Sequence, residues 1–166
     1  MRSQLRCGAI CAALAISLSA HARVDPAAVV GMWLFEEGGG KTALDSSENG
    51  LDGAIVGPAE WEKGQFGQAL EFNGQNVSVE VTEDPALVLP ELTIVAWANI
   101  VAAPGVRWQS IMMRGQDPRN YLLVVDKDSQ KLPLSITKGA PGAWGGPIPA
   151  EPLTDGEWHP IAGAVG

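Results

Sequence analysis

The sequence predicts an all-β protein, two antiparallel sheets packed as a sandwich with almost no helix. Three observations predict it. Short apolar runs recur at regular spacing after residue 28, and dense turn chemistry separates them. Val77, Val79 and Val81 alternate with Ser78, Glu80 and Thr82, the period of two expected of a half-buried strand. The glycines at 38–40, Asn49-Gly50 and Asp52-Gly53 all favour the left-handed backbone angles of tight turns.

Taken in order, residues 29–35 form the first predicted strand, and 54–56 a short second one between Gly53 and Gly57-Pro58. Strands at 69–72 and 77–81 flank Asn73-Gly74-Gln75-Asn76, which has the composition of a hairpin connection. Asp84-Pro85-Ala86-Leu87 suits a single helical turn. The longest run is Leu92–Val101, apolar or small on both faces, and it is expected at the centre of the sandwich. Strands at 110–114, Tyr121–Asp126, 132–137 and 158–162 complete the reading, with turns at 115–118 and 126–129. The expected core comprises Trp33, Phe35, Leu70, Phe72, Ile94, Trp97, Leu122 and Val124.

The first 22 residues have a different character. Arg2 and Arg6 precede an apolar run from Cys7 to Leu18, and Ala20-His21-Ala22 follows as a small-residue cleavage site, the pattern of a secretory signal peptide. The run is too short for a membrane span, which takes about 20 residues, and no other apolar run is long enough. Processing would leave residues 23–166 as one domain, secreted, periplasmic or at the cell surface. Both cysteines, Cys7 and Cys11, would leave with the leader, so that domain is expected to have no disulfide. The full chain carries a net charge of −8, and losing Arg2 and Arg6 makes the remainder more acidic still. An acidic surface lacks the basic footprint that nucleic acid or anionic lipid requires.

Several motifs resemble the laminin-G-like, concanavalin A-like jelly rolls of secreted bacterial proteins. They are Gly31-Met32-Trp33-Leu34-Phe35-Glu36-Glu37-Gly38, the segment 45–53, the segment 66–74, Leu92-Thr93-Ile94-Val95-Ala96-Trp97 and Asp155-Gly156-Glu157-Trp158-His159. The likeness covers almost all of the chain after residue 28. It implies a two-sheet jelly roll of the lectin and glucanase type. Similar proteins continue past the last motif with a turn, a further strand and at least one more hairpin, whereas this sequence stops at Gly166. The resemblance therefore implies a jelly roll incomplete at its C-terminus. Pro160, where the family usually has His or Val, belongs at a sheet edge or bulge because it offers no amide donor.

Asp45, Asn49 and Asp52 gather oxygen donors in one turn-rich segment, and many similar jelly rolls bind calcium, so these three are candidate calcium ligands. The competing reading is that they build Asx turns, and three donors do not complete a calcium shell of 6–8 oxygens. An EF-hand alignment fails because its twelfth position falls on Val56.

Catalysis finds little support. His159 is the one histidine outside the leader, and the G-x-S-x-G and H-E-x-x-H motifs are absent. The paired-carboxylate strand of the related glucanases is also missing; the nearest run, Glu80 to Asp84, lacks its middle Asp. The chain is thus expected not to be an enzyme.

Trp33, Trp61, Trp97 and Trp158 coincide with family positions and are expected in packing roles. Trp108 and Trp144 stand in Gly/Pro-rich surroundings, and Arg107, Arg114 and Arg119 are near enough in sequence to supply polar contacts. Trp108, Arg114 and Trp144 are the candidate ligand-binding residues, with capping of an open sheet as the alternative for the tryptophans. Two functions remain. One is a non-catalytic module binding a glycan or an extracellular protein. The other is a structural or adhesion domain without a small ligand.

Overall fold

The computed structural model describes residues 24–101, 107–115, 121–126, 128, 134–136 and 153–165. Within them the chain is mostly strand, and every strand pair is antiparallel. The strands are β1 (Thr42–Ala43), β2 (Gly53–Val56), β3 (Glu60–Lys63), β4 (Gln68–Glu71), β5 (Ser78–Val81), β6 (Leu92–Val101), β7 (Trp108–Arg114), β8 (Tyr121–Asp126), β9 (Leu134–Ile136) and β10 (Asp155–Val165). They form four small sheets: β1-β2-β5, β3-β4, β6-β10 and β7-β8-β9. Two single 3-10 turns, Pro26–Ala28 and Pro85–Leu87, are the helical pieces among the described residues. Each has proline in its first turn and an aspartate cap, Asp25 and Asp84. None of the described helices is long and apolar enough to cross a membrane.

Two apolar clusters hold these sheets. Tyr121, Leu123 and Val125 project from one face of β8 against Ile94 and Ile100 of β6, Ile161 of β10 and Leu153. Ala43, Ile55 and Leu70 form the second cluster, with Trp33, Phe35, Trp61 and Val79 packed around it. The β6-β10 and β7-β8-β9 sheets thus share the first core. The sheets carrying β1 to β5 share the second.

β8 is buried on both faces, since Leu122, Val124 and Asp126 are as inaccessible as their neighbours. A continuous apolar run is the sequence mark of such a strand. The composition of β6 predicts that central place for it, and the structure corrects this. Ile94 and Ile100 of β6 face the core, but Val95 is 69% exposed and Trp97 45%. An apolar face is necessary for burial but not sufficient, because another layer must cover it. Phe72, also expected in the core, is 48% exposed. It follows the last residue of β4 where the chain leaves its sheet, and meets Phe35 edge-on at 6.3 Å.

Three further expectations are corrected. Residues 29–35 are not a strand; one isolated bridge, Trp33 to Asp45, is all that they contribute. Phe35 has φ +56, which ends an extended run, and the Met32 amide goes to a side chain, Asp45, instead of a ladder. Asn73 does fold the 73–76 turn, accepting from the amides of Gln75 and Asn76. The flanking strands do not pair with each other, however: β4 pairs with β3, and β5 with β2. Gly53, read as a turn residue, lies in β2, where a Cβ would overlap the Val79 side chain. The remaining runs fall where the spacing put them, within a few residues.

Candidate functional site

Trp108 opens β7 and stands opposite Asp126, the last residue of β8. Antiparallel pairing therefore brings Arg107 beside the Asp126 carboxylate. The guanidinium donates from Nε to Oδ1 and from Nη2 to Oδ2, each at 3.2 Å. The Asp128 amide donates to the same Oδ1 at 3.1 Å, and Asp128 Oδ2 lies 3.7 Å from Arg107 Nε. Asp126 is 4% exposed, and a buried carboxylate is tolerable only with such partners. The hydrogen bond and charge of Asp126 push the Arg107 pKa up, so the cation is permanent. Its guanidinium carbon lies 4.7 Å from the centre of the Trp108 ring. Trp108 remains 46% exposed. The corner offers an aromatic surface beside a fixed, solvent-facing guanidinium. Such a pair can receive a flat apolar face and hydroxyl or carbonyl oxygens together.

The other candidate ligand residues are not gathered here. Arg114 ends β7, roughly 20 Å along the strand from Trp108 at 3.3 Å per residue. It pairs with Glu83 and is largely buried. Trp144 and Arg119 lie outside the described residues.

The 45–52 loop does bring Asp45, Asn49 and Asp52 together, through hydrogen bonds. Asp45 Oδ1 accepts from the amides of Met32 at 2.9 Å and Ser47 at 2.8 Å. Its Oδ2 accepts from Ser47 Oγ at 2.7 Å and the Leu51 amide at 2.9 Å. Burial alone would raise the pKa of this carboxyl. The bonds from Ser47, Met32 and Leu51 outweigh it and hold the value below the ordinary 3.8. Asp52 Oδ1 accepts from the Asp45 amide, and Asn49 Nδ2 donates to the carbonyls of Val29 and Val30. A carboxylate has about four acceptor positions, so calcium at Asp45 would have to displace bonds already made. The donor set fits loop fastening better than it fits a cation.

The motif acids Glu36 and Glu37 are also structural. Glu37 accepts from the Leu44 amide and Glu36 from the Gln68 amide. Gly67, with φ +87, lies so close under the Glu36 carboxylate that a Cβ would collide with it. Trp33 donates from its indole to the Leu51 carbonyl at 2.8 Å.

One cluster was missed in the sequence. Glu60, Glu62 and Glu71 share the exposed face of the β3–β4 pair, with carboxylate oxygens within 4.8 Å of one another. Repulsion from Glu62, and its hydrogen bond, push the Glu71 pKa up. The alternation Glu60-Trp61-Glu62 was its only local signal. The place of Glu71 follows from strand register.

No protein-family model, curated protein or solved structure matches the chain.

Proposed function

We propose that the chain is a secreted, non-catalytic binding module, a concanavalin A-like jelly roll that recognises carbohydrate at the sheet edge formed by Arg107 and Trp108. The observation that carries this reading is the half-exposed Trp108 ring under a guanidinium fixed by buried Asp126. Holding both groups in place before binding lowers the ordering cost of capturing a weakly interacting sugar.

A glycosidase would need one carboxyl kept neutral by burial and another kept ionised beside it. Glu60, Glu62 and Glu71 are all exposed, and Glu71 is raised chiefly by repulsion from Glu62 and a hydrogen bond with it. That arrangement favours binding over hydrolysis as the reading. In it, the 45–52 loop closes by its own hydrogen bonds, and calcium is not required.

A glycan array followed by calorimetry on the full chain tests both points, with and without chelator. Trp108→Ala is expected to weaken glycan binding by about tenfold or more, equivalent to ~1.4 kcal/mol. Chelator is expected to leave it unchanged. A wild-type chain that binds no glycan, or a Trp108→Ala chain that binds equally well, would leave the structural or adhesion role in its place.

A further inference from the structure

The β6–β10 ribbon has a second face that the first core does not use. On it, Val95 stands opposite Ala162 and Trp97 opposite Pro160. Ala164 continues the β10 side, and all five are exposed. Phe66, 65% exposed, packs edge-on against Trp97 with ring centres 5.1 Å apart and widens the β6 side. β6 contains no charged residue at all, in a chain of net charge −8. Uncharged, aromatic-bearing surface is what the centre of a protein–protein contact looks like.

The relief of this face matters as much as its composition. Along the middle of the ribbon the large Val95 and Trp97 line β6 and the small Ala162 and Pro160 line β10, a ridge beside a trough. One step on the order reverses, Trp158 of β10 standing opposite Asn99 of β6. A two-fold axis parallel to the strands lays the β6 ridge of one copy over the β10 trough of the other, and the reverse. A two-fold contact demands this kind of self-complementarity. Sheets stacked in this way lie about 10 Å apart with strands near −30°, so the side chains interdigitate. Aromatic residues bury 150–250 Å² each, so the exposed parts of Phe66, Trp97 and Val95 with the β10 trough offer roughly 500 Å² per copy. A pair then buries about 1,000 Å², the threshold for a specific contact. An acidic chain repels its copies, and an uncharged contact face is the surface on which that repulsion is least.

We infer that two copies of this chain associate face to face through the β6–β10 ribbons, independently of any ligand at Trp108. The partner is a second copy, and the contact is apolar.

Sedimentation equilibrium on the full chain tests this, at 50 mM and 500 mM salt. The expected result is a reversible monomer–dimer equilibrium that tightens several-fold at high salt, as screening weakens the repulsion. Val95→Glu and Ala162→Glu, on opposite strands of the ribbon, are each expected to weaken the dimer at least tenfold. Both positions are exposed, so far-UV spectra and melting temperatures should match the wild type. Should either glutamate perturb folding, Val95→Thr and Ala162→Ser repeat the measurement with milder, neutral changes and a smaller expected loss of several-fold. A chain monomeric at all concentrations and both salts overturns the proposal. So does association that survives both substitutions, because the contact then lies elsewhere. A dimer lost in these variants with glycan binding intact at Trp108 supports the proposal and separates it from the carbohydrate reading.

Discussion

Asp45 joins three stretches of chain that have little regular structure of their own, because its two oxygens hold Met32, Ser47 and Leu51 at once. Asp45→Ala is expected to cost about 1.5–3 kcal/mol in urea denaturation at pH 7, the range for hydrogen bonds to a charged group. The depressed pKa fixes the pH dependence. The contribution of Asp45 is complete above its ordinary value of 3.8 and is lost as pH falls through the lower folded value. Asp45→Asn should flatten that part of an acid titration of stability. Glu71 has the opposite sign. Its raised folded pKa means that the fold gains as the group is neutralised, so Glu71→Gln should raise the melting temperature at pH 7. That gain should vanish well below the ordinary 4.5. At this scale the sequence is legible where partners are close along the chain. Asp45, Ser47 and Asn49 sit two residues apart and make turns in the way their composition suggests. Arg107 with Asp126 and Glu60 with Glu71 were not legible, because strand register brings them together and register is a long-range property.

Among the elements, β10 shows how register is set. The pairing skips between Asp155 and Trp158, where β10 carries an extra residue opposite β6. Gly156, at φ +80, absorbs the kink. Asn99 donates to the Gly156 carbonyl at 2.6 Å, and Asp155 Oδ1 accepts from the Glu157 amide and lies 2.8 Å from His159 Nε2. The hydrogen bond with His159, then that from Glu157, hold the Asp155 pKa below its usual value. A slip of one residue here would turn Ile161, 1% exposed, toward solvent. Gly156→Ala is expected to cost about 1–2 kcal/mol by thermal or urea unfolding, the penalty for a side chain in the left-handed region. The strands of β6 and β8 were legible from apolar content and length. The division of labour between them was not, since burial on a second face depends on what another layer supplies.

At the scale of the molecule, the two apolar clusters draw on different strands, and the Phe66–Trp97 ring contact lies outside both. Leu123, fully buried, should cost about 2–5 kcal/mol when truncated to alanine, and Leu70, 8% exposed, should fall toward the lower end. Amide hydrogen exchange distinguishes the two. Leu70→Ala should speed exchange in β2 and β5 while β8 keeps its protection, and Leu123→Ala should do the reverse. Equal loss everywhere in both variants would show one cooperative unit. The all-β class was legible from the turn chemistry and the period-two runs. The assignment of β4 and β5 to different sheets was not, because a turn sequence specifies how the chain reverses and leaves open which strand it reverses onto.

The pairing of β6 with β10 also has a consequence in time. The two strands are far apart in sequence, with Asn99 bonded to Gly156 across 57 residues. A ribosome adding 5–20 residues per second takes roughly 3–12 s to make the segment that separates them. Throughout that interval the newly made Leu92–Val101 run, uncharged and rich in β-branched residues, lacks β10, its one partner strand among the described residues. Segments of that composition are the ones that pair with copies of themselves when left waiting. The nascent chain therefore carries a hazard of misassembly during its own synthesis, and the yield of folded protein should depend on how quickly translation reaches β10.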